Sequence, residues 1–282
     1  MIARSCRPHT YRSFSTRIPT AQSLCDAARI QLGDSGPCIQ RLIDVRTLSH
    51  PTLTELAKLP NHSFTIHSGF LSTHEQDILL KASLTKLGGK RRRKSPLSAL
   101  PTSPLPATDY PLHGIFGRDV DYNFEEGHFD GVIRDYREMT VSSWPASSPA
   151  GLADILLRLY RLVDPHRTPA APGTTTPPNV QTHILHLASI GIILPHVDNI
   201  EASGNMIAGV SLGDTRVLRM SRDEETFDVL LESGSVYVQR DDIRYRWKHE
   251  IPNNTTFQGR VVGSGGQRLS VMLRDKHTQQ RT

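Results

Sequence analysis

The chain has 282 residues, a formal net charge of +5 and a hydrophobic content of 37%, with 20 glycines and 19 prolines. This composition is typical of a globular, loop-rich protein and argues against a helical bundle. Because no apolar run approaches the roughly 18 residues that a membrane-spanning helix needs, we expect no membrane span. The positive charge permits an anionic partner but does not require one.

The N-terminus has the composition of an import signal. Residues 1–20 contain four arginines and many serines and threonines, and the first acidic residue is Asp26. A cationic amphipathic segment is drawn toward a membrane that is negative inside, so we predict a mitochondrial transit peptide over residues 1–20, with a disordered basic tail as the alternative. Residues 21–62 are predicted to be a loosely structured N-terminal extension, because prolines interrupt its short helix-like pieces.

Two helices are predicted to pack on the core. The first begins at Ser72 or Thr73, which can cap it, and ends at Gly88-Gly89. The second covers residues 151–163, where large aliphatic residues recur at helical spacing.

A basic, proline-rich insertion is predicted at residues 89–115, and it contains the run Lys90–Lys94. Such a run can contact nucleic-acid phosphates, it can be a nuclear localisation signal, or it can be a solvated loop tip. Because no aromatic residues for base stacking are interleaved with it, the loop tip is favoured.

From residue 181 onward the hydrophobic pattern changes to short β-like runs separated by turn signals. Strands this short at this spacing predict an antiparallel sandwich or barrel, followed by a tail at residues 276–282. The predicted strands are His183–Leu187, Met206–Leu212, Arg216–Met220, Phe227–Leu231, Ser235–Gln239, Ile243–Trp247 and Leu269–Leu273.

One group of residues in this β region has the pattern of a metal site. His196 and Asp198 are two residues apart, so on an extended strand both side chains leave the same face. His249, in another β-like stretch, is the leading candidate for a third ligand. Two histidines and a carboxylate suit non-haem Fe(II) with open coordination positions, and zinc would also accept them.

Two arginines follow on one predicted strand. Arg268 and Arg274 are six residues apart, an even spacing that places both guanidinium groups on one face while Leu269, Val271 and Leu273 point to the other. Their Cα atoms would lie about 20 Å apart, so the two long side chains could bracket a short dicarboxylate. Two exposed arginines on a half-buried strand are the alternative.

The order of these motifs resembles the AlkB family of Fe(II)/2-oxoglutarate dioxygenases. H-x-D at residues 196–198, His249 about fifty residues later and R-x-S-x-x-x-R at residues 268–274 follow the family pattern. Further segments are similar to motifs of the family: AGVSLG at 208–213, LESGSVY at 231–237 and RYRWKHEI at 244–251. The segments PHVDNI at 195–200 and HFDGVI at 128–133 resemble the mitochondrial branch of the family in particular.

The resemblance implies a fold and a set of cofactors. The fold is expected to be mainly β with flanking helices (α+β), with a double-stranded β-helix, or jelly-roll, core in a domain over residues 63–275. Fe(II) is the expected metal, with 2-oxoglutarate and O2 as cosubstrates and succinate and carbon dioxide as co-products. The protein would therefore be an oxidoreductase, and we expect it to be monomeric.

The resemblance also implies a role for each site residue. His196, Asp198 and His249 would be the catalytic metal ligands. Arg268 and Arg274 would neutralise the carboxylates of 2-oxoglutarate, with Tyr237 as a further contact.

The substrate is the open question. Similarity to the mitochondrial branch implies a matrix protein hydroxylase or regulator linked to fatty-acid metabolism and programmed necrosis. Demethylation of N-methylated mitochondrial RNA is the alternative, favoured by the basic insertion, and a non-catalytic iron- and 2-oxoglutarate-binding module is a second. DNA-repair relatives carry N-x-Y before H-x-D, whereas this chain has Leu185 and Leu187 around His186, which we expect to be a packed strand residue.

Overall fold

The computed structural model describes residues 43–47, 63–88, 114–144, 149–164, 176–263 and 265–276. The predicted transit peptide and the run Lys90–Lys94 lie outside these residues, as do nearly all of the insertion and of the tail. No helix in the described part of the chain is long and apolar enough to cross a membrane.

Helices α1 (Thr73–Lys86) and α2 (Leu152–Val163) form where the sequence predicts them. Ser72 caps α1 through a capping box: its hydroxyl accepts from the Glu75 backbone N–H, and the Glu75 carboxylate accepts from the Ser72 N–H. This arrangement satisfies two backbone donors at the start of the helix. The helix therefore begins at the position that its polar residues specify.

Most of the remaining described structure is an antiparallel sheet with one small hairpin beside it. The strands are β1 (Ile43–Thr47), β2 (Phe64–His67), β3 (Glu125–Gly127), β4 (Ile133–Val141), β5 (Val180–His196), β6 (Met206–Gly213), β7 (Arg216–Arg222), β8 (Glu225–Leu231), β9 (Val236–Arg240), β10 (Lys248–Ile251), β11 (Thr255–Phe257), β12 (Arg260–Val262) and β13 (Arg268–Asp275). The hydrogen-bonded order is β1-β8-β7-β10-β5-β13-β6-β9-β2, with β4 also on β5, β3 on β4, and β11 paired with β12.

The sheet curls until its two ends meet. Phe64 of β2 and Phe227 of β8 belong to opposite ends of the strand order, yet their ring centroids are 6.2 Å apart. Both rings lie in one inner hydrophobic cluster with residues such as Leu187 and Met220. A curled antiparallel sheet closed around such a core is a double-stranded β-helix, so the predicted jelly-roll core with flanking helices is confirmed.

Strand β13 shows how the sequence separates the two faces of the sheet. Leu269, Val271 and Leu273 lie in the outer hydrophobic cluster, which also contains residues of α1 and α2. The alternate residues, including Arg268 and Arg274, face the inside of the roll. Because strand side chains alternate, one sequence supplies both an apolar face for the helices and a polar face for the site.

One predicted strand is wrong. Ile243–Trp247 reads as alternating, but helix α3 (Asp241–Arg246) occupies this segment, and only Lys248 begins β10. Ile243 and Trp247 are four residues apart, so one helical turn buries both of them on the same side. A period of two and a period of nearly four cannot be distinguished over five residues.

Strands β1 to β4 are not predicted by the pattern. Strand β1 lies within the N-terminal extension and pairs with β8. Strand β4 pairs with β5, although charged residues such as Arg134 and Asp135 interrupt its apolar pattern. Pairing with the long strand β5, rather than its own alternation, decides its conformation.

Candidate metal centre and cosubstrate site

The three predicted metal ligands converge inside the roll. His196 ends β5 and lies directly opposite His249 of β10, with the two ring centroids 4.2 Å apart. Asp198 Oδ1 is 3.2 Å from His196 Nε2 and 3.9 Å from His249 Nε2. One ligand atom from each residue lies within 4.8 Å of the other two. This spacing is compact enough for a single metal ion to recruit all three atoms.

The strand geometry behind this arrangement differs from the expectation. Strand β5 ends at His196, so Asp198 lies in the following loop and not on the same strand face. The proximity of the two residues therefore depends on the path of the loop and not on strand alternation.

Hydrogen bonds select the metal-facing atom of His196. Its Nδ1 lies 2.9 Å from the backbone oxygen of Leu194. A carbonyl oxygen can only accept, so Nδ1 carries the proton in the neutral ring and Nε2 keeps its lone pair. The Nε2 atom is the one that faces Asp198.

Arg274 selects which oxygen of the Asp198 carboxylate faces the histidines. Its Nε and Nη2 donate to Oδ2 at 3.1 and 3.0 Å, which leaves Oδ1 to face the histidines. Burial opposes ionisation of Asp198, but the Arg274 charge and the neighbouring histidines hold the pKa of the carboxyl well below its usual range. The carboxylate is therefore ionised at neutral pH.

The donor set fits the expected metal. Burial lowers the pKa of His249 to about 3, so its ring is neutral and can donate a lone pair at neutral pH. Two neutral imidazoles and one carboxylate oxygen form the ligand set of non-haem Fe(II) sites, which leave other coordination positions open.

Arg268 lies on the same face of β13 in a different electrostatic state. Its side chain is 2% exposed and its Nε donates to Ser211 Oγ at 3.1 Å. Burial lowers its pKa to about 10, so it stays protonated at neutral pH. Among the described residues, no carboxylate forms an ion pair with it. A buried cation without a counter-ion is costly, so this position favours an anionic ligand.

Tyr237 of β9 is also buried, and its ring stacks on Phe64 with centroids 6.3 Å apart. Gly209 on the neighbouring strand makes room for it, since a Cβ there would collide with the Tyr237 ring. Burial raises the pKa of Tyr237, although the nearby charge of Arg268 opposes this increase. The hydroxyl therefore stays protonated and able to donate a hydrogen bond. Within the described part of the chain the hydroxyl has no hydrogen-bond partner.

His186 is a packed residue, as predicted. It is fully buried; Arg137 Nε donates to its Nδ1 at 3.0 Å, and its Nε2 lies 2.9 Å from Gln267 Oε1. The rings of Tyr122 and Phe124 contact it edge-on. It supports the segment 114–124 on the outer face of the sheet and takes no part in the metal centre.

Sequence reasoning missed the polar strip next to the metal centre. Glu138 of β4 contacts His183 Nε2 at 2.9 Å and interacts electrostatically with Arg274. Asp130 contacts His128 at 2.8 Å and interacts in the same way with His196. The motif at residues 128–133 was the available signal, but its position beside the ligands depends on the pairing of β4 with β5.

Comparison with known proteins shows which family these residues resemble. Residues 188–274 match the model of the 2OG-Fe(II) oxygenase superfamily, and this segment contains the three candidate ligands, Tyr237 and both arginines. Over these residues the chain is similar to the 2OG-Fe(II) oxygenase superfamily. The superfamily uses Fe(II) and 2-oxoglutarate with O2, so the predicted oxidoreductase class and cofactors are confirmed.

Two curated relatives of this chain are mitochondrial alpha-ketoglutarate-dependent dioxygenases named alkB homolog 7. The Bos taurus protein is 34% identical over 155 residues, 54% of this chain and 65% of that relative. The Mus musculus protein is 29% identical over 213 residues, 74% of this chain and 76% of that relative. The chain thus spans slightly less than two thirds of the bovine relative, and the predicted resemblance to the mitochondrial AlkB branch is confirmed.

Solved structures also resemble this chain. The structure of OsALKBH1 has a TM-score of 0.44 and 15% sequence identity, covering 77% of this chain and all of that one. A Pseudomonas putida prolyl-4-hydroxylase has a TM-score of 0.43 and 13% identity, covering 79% of this chain and 95% of that one.

Proposed function

We propose that this protein is a mitochondrial Fe(II)/2-oxoglutarate-dependent dioxygenase whose iron ligands are His196, Asp198 and His249. The observation that carries the proposal is that a compact two-histidine, one-carboxylate cluster shares a face of the roll with the buried cation Arg268, which no carboxylate of the described residues neutralises. A metal alone would not require Arg268, whereas a metal-chelating dicarboxylate would.

Each residue of the chain then has a distinct task. Arg268 binds the carboxylate of 2-oxoglutarate farther from the metal, and Tyr237 donates a hydrogen bond to the cosubstrate. Arg274 contributes its charge to the same region while it holds Asp198 in place. The bound iron supplies the oxygen chemistry, and the protein supplies orientation and exclusion of water.

We assign the catalytic domain to residues 63–275 and the working location to the mitochondrial matrix. The names of the relatives, which include the word mitochondrial, support the organelle. The composition of residues 1–20 supports import.

For the substrate we propose a protein, which the enzyme hydroxylates. Phe129 is 92% exposed, and its ring centroid is 4.2 Å from that of His128, which contacts Asp130 and Glu138, the acidic residues of the polar strip. An aromatic ring next to carboxylates suits a polypeptide side chain better than a polyanionic strand, which the carboxylates repel. Links to fatty-acid metabolism and programmed necrosis stay predictions.

RNA demethylation is the second candidate, and the run Lys90–Lys94 favours it. RNA binding that weakens steeply with salt and is lost when these five residues are neutralised would support it. Binding unchanged by that neutralisation would count against it.

The proposed chemistry is tested by anaerobic titration of Fe(II) and 2-oxoglutarate into protein that lacks residues 1–20, followed by measurement of succinate after oxygen is admitted. We expect succinate from the parent protein and none from His196→Ala, which loses a metal ligand. Equal succinate from both would reject the ligand assignment. Tight binding of both ligands without succinate, even with candidate substrates present, would support the non-catalytic module instead.

A further inference from the structure

The metal-ligand loop, residues 198–203, lies beyond the regular sheet. The last paired residue of β5 is His196, which is opposite His249 of β10. Asp198 therefore gains no support from the strand ladder, although a metal site requires its carboxylate within a fraction of an ångström of a defined position. Another part of the protein has to hold the backbone of this loop.

Arg244 of α3 contacts both ends of the metal-ligand loop. Its Nη1 donates to the backbone oxygen of Asp198 at 3.1 Å, and its Nη2 donates to the backbone oxygen of Asn199 at 3.2 Å. The same Nη2 donates to Ser203 Oγ at 2.9 Å. The Arg244 side chain is only 1% exposed, so solvent does not compete for these bonds.

We infer that Arg244 is a positioning residue for the metal ligand Asp198, acting through the backbone of the metal-ligand loop. This inference rests on the proposed iron site. Arg274 orients the carboxylate from the side, and Arg244 holds the main chain that carries it. It contacts none of the three ligand atoms, so its effect reaches the metal only through Asp198.

A guanidinium group is required at this position for a geometric reason. Three oxygen acceptors spread over residues 198–203 are reached by two nitrogen atoms of one planar group. A lysine ammonium is a single point of donation and cannot span the same acceptors. The turn of helix at α3 directs Arg244 inward, whereas Arg246 of the same helix is exposed and pairs with Asp242.

The test compares the Mn(II) affinity of full-chain variants, measured by electron paramagnetic resonance without 2-oxoglutarate. Loss of an outer-shell partner of a metal ligand weakens metal binding by about 10- to 100-fold, and we expect Arg244→Met to raise the Mn(II) Kd by that factor. Arg244→Lys should give an intermediate Kd, because one donor and the charge remain. At saturating metal, the KM for 2-oxoglutarate should stay within about twofold of the parent value, since Arg244 does not contact that part of the site.

Two matched controls separate positioning from general support of the fold. Arg246→Met removes an exposed arginine of the same helix and should leave both the Kd and the Tm unchanged. Arg216→Met removes another buried arginine, which bonds Asn253 and the backbone of Ser189 and Gly266; it should lower the Tm without changing the Mn(II) Kd.

The outcomes are distinguishable from failure of the proposed function. Parent protein that binds no Mn(II) would reject the iron site itself. Parent-like affinity in Arg244→Met, or an equal loss in Arg216→Met, would overturn only the positioning role. If Arg244→Met does not fold, Ser203→Ala removes one of the three acceptors, and an unchanged Mn(II) Kd in that variant would overturn the inference.

Discussion

Arg268 and Arg274 share one face of β13, yet among the described residues only Arg274 forms an ion pair with a carboxylate, that of Asp198. Arg274 is therefore already neutralised by a candidate metal ligand, whereas Arg268 is a buried cation that no carboxylate of the described residues neutralises. The even spacing of the two arginines predicted their common face. Their electrostatic states differ because Arg274 contacts the carboxylate of Asp198, whereas Arg268 contacts the hydroxyl of Ser211.

Substitution of Arg268 should separate stability from cosubstrate binding. Arg268→Met removes a buried charge that has no carboxylate partner among the described residues, and it preserves much of the volume, so we expect the Tm of ligand-free protein to rise. The same variant should raise the KM for 2-oxoglutarate by at least about 30-fold, because truncation of one partner of a buried charge pair costs about 2–5 kcal/mol. Thermal melts and succinate assays measure the two effects, and a fall in both Tm and KM would contradict the prediction.

Substitution of Arg274 should act mainly on the metal. In Arg274→Met the carboxylate of Asp198 loses both hydrogen bonds to Oδ2 and can rotate, so we expect the Kd for Fe(II) to rise by about 10-fold or more. Arg268→Met is the matched control, since it lies on the same strand face but has no contact with Asp198. Anaerobic Fe(II) titration of both variants measures the difference. Equal Kd values for the two variants would refute this division of roles.

Tyr237 and Gly209 provide a paired test of the cosubstrate site. Tyr237→Phe removes only the hydroxyl, so the KM for 2-oxoglutarate should rise by roughly 3- to 10-fold, the value of one hydrogen bond of about 1 kcal/mol. Gly209→Ala keeps the hydroxyl but adds a Cβ that collides with the ring, so a larger increase is expected because the ring must move. A smaller effect of Gly209→Ala than of Tyr237→Phe would show that the ring position is unimportant.

His186 should make the protein sensitive to acid. Burial lowers the pKa of His186 from 6.5 to about 3. Between these pH values the unfolded chain binds a proton that the native protein does not, so the free energy of unfolding falls with falling pH, by up to about 1.4 kcal/mol per pH unit. His186→Gln keeps a hydrogen-bonding side chain but cannot be protonated. Urea unfolding at pH 7 and pH 5 should show a smaller loss of stability in the variant; identical losses would contradict the assignment.

Several features could be predicted because they depend on neighbours along the chain. The capping box at Ser72 and Glu75 set the start of α1, and the alternation in β13 set which residues face the site. The spacing of His196, Asp198 and His249 pointed to a metal centre for the same reason, since ligand chemistry and order along the chain are properties of the sequence.

Other features depended on contacts between distant segments. Strand β4 forms because β5 offers it a partner, and α3 forms where the local alternation favours a strand. The contacts of the charged residues also depend on the tertiary structure. No local pattern shows that Arg274 and Arg244 bind Asp198. Nor does it show that Arg268 has no carboxylate partner among the described residues.

The sequence by itself determined the two faces of the sheet, the identity of the candidate ligands and the class of chemistry, because residue type and periodicity act locally. Only the tertiary structure decided that Asp198 reaches the histidines from a loop beyond the strand ladder. It also decided that Arg274 pairs with Asp198 while Arg268 pairs with no carboxylate of the described residues. Burial and the pairing of charges are set by segments that fold together from opposite ends of the domain.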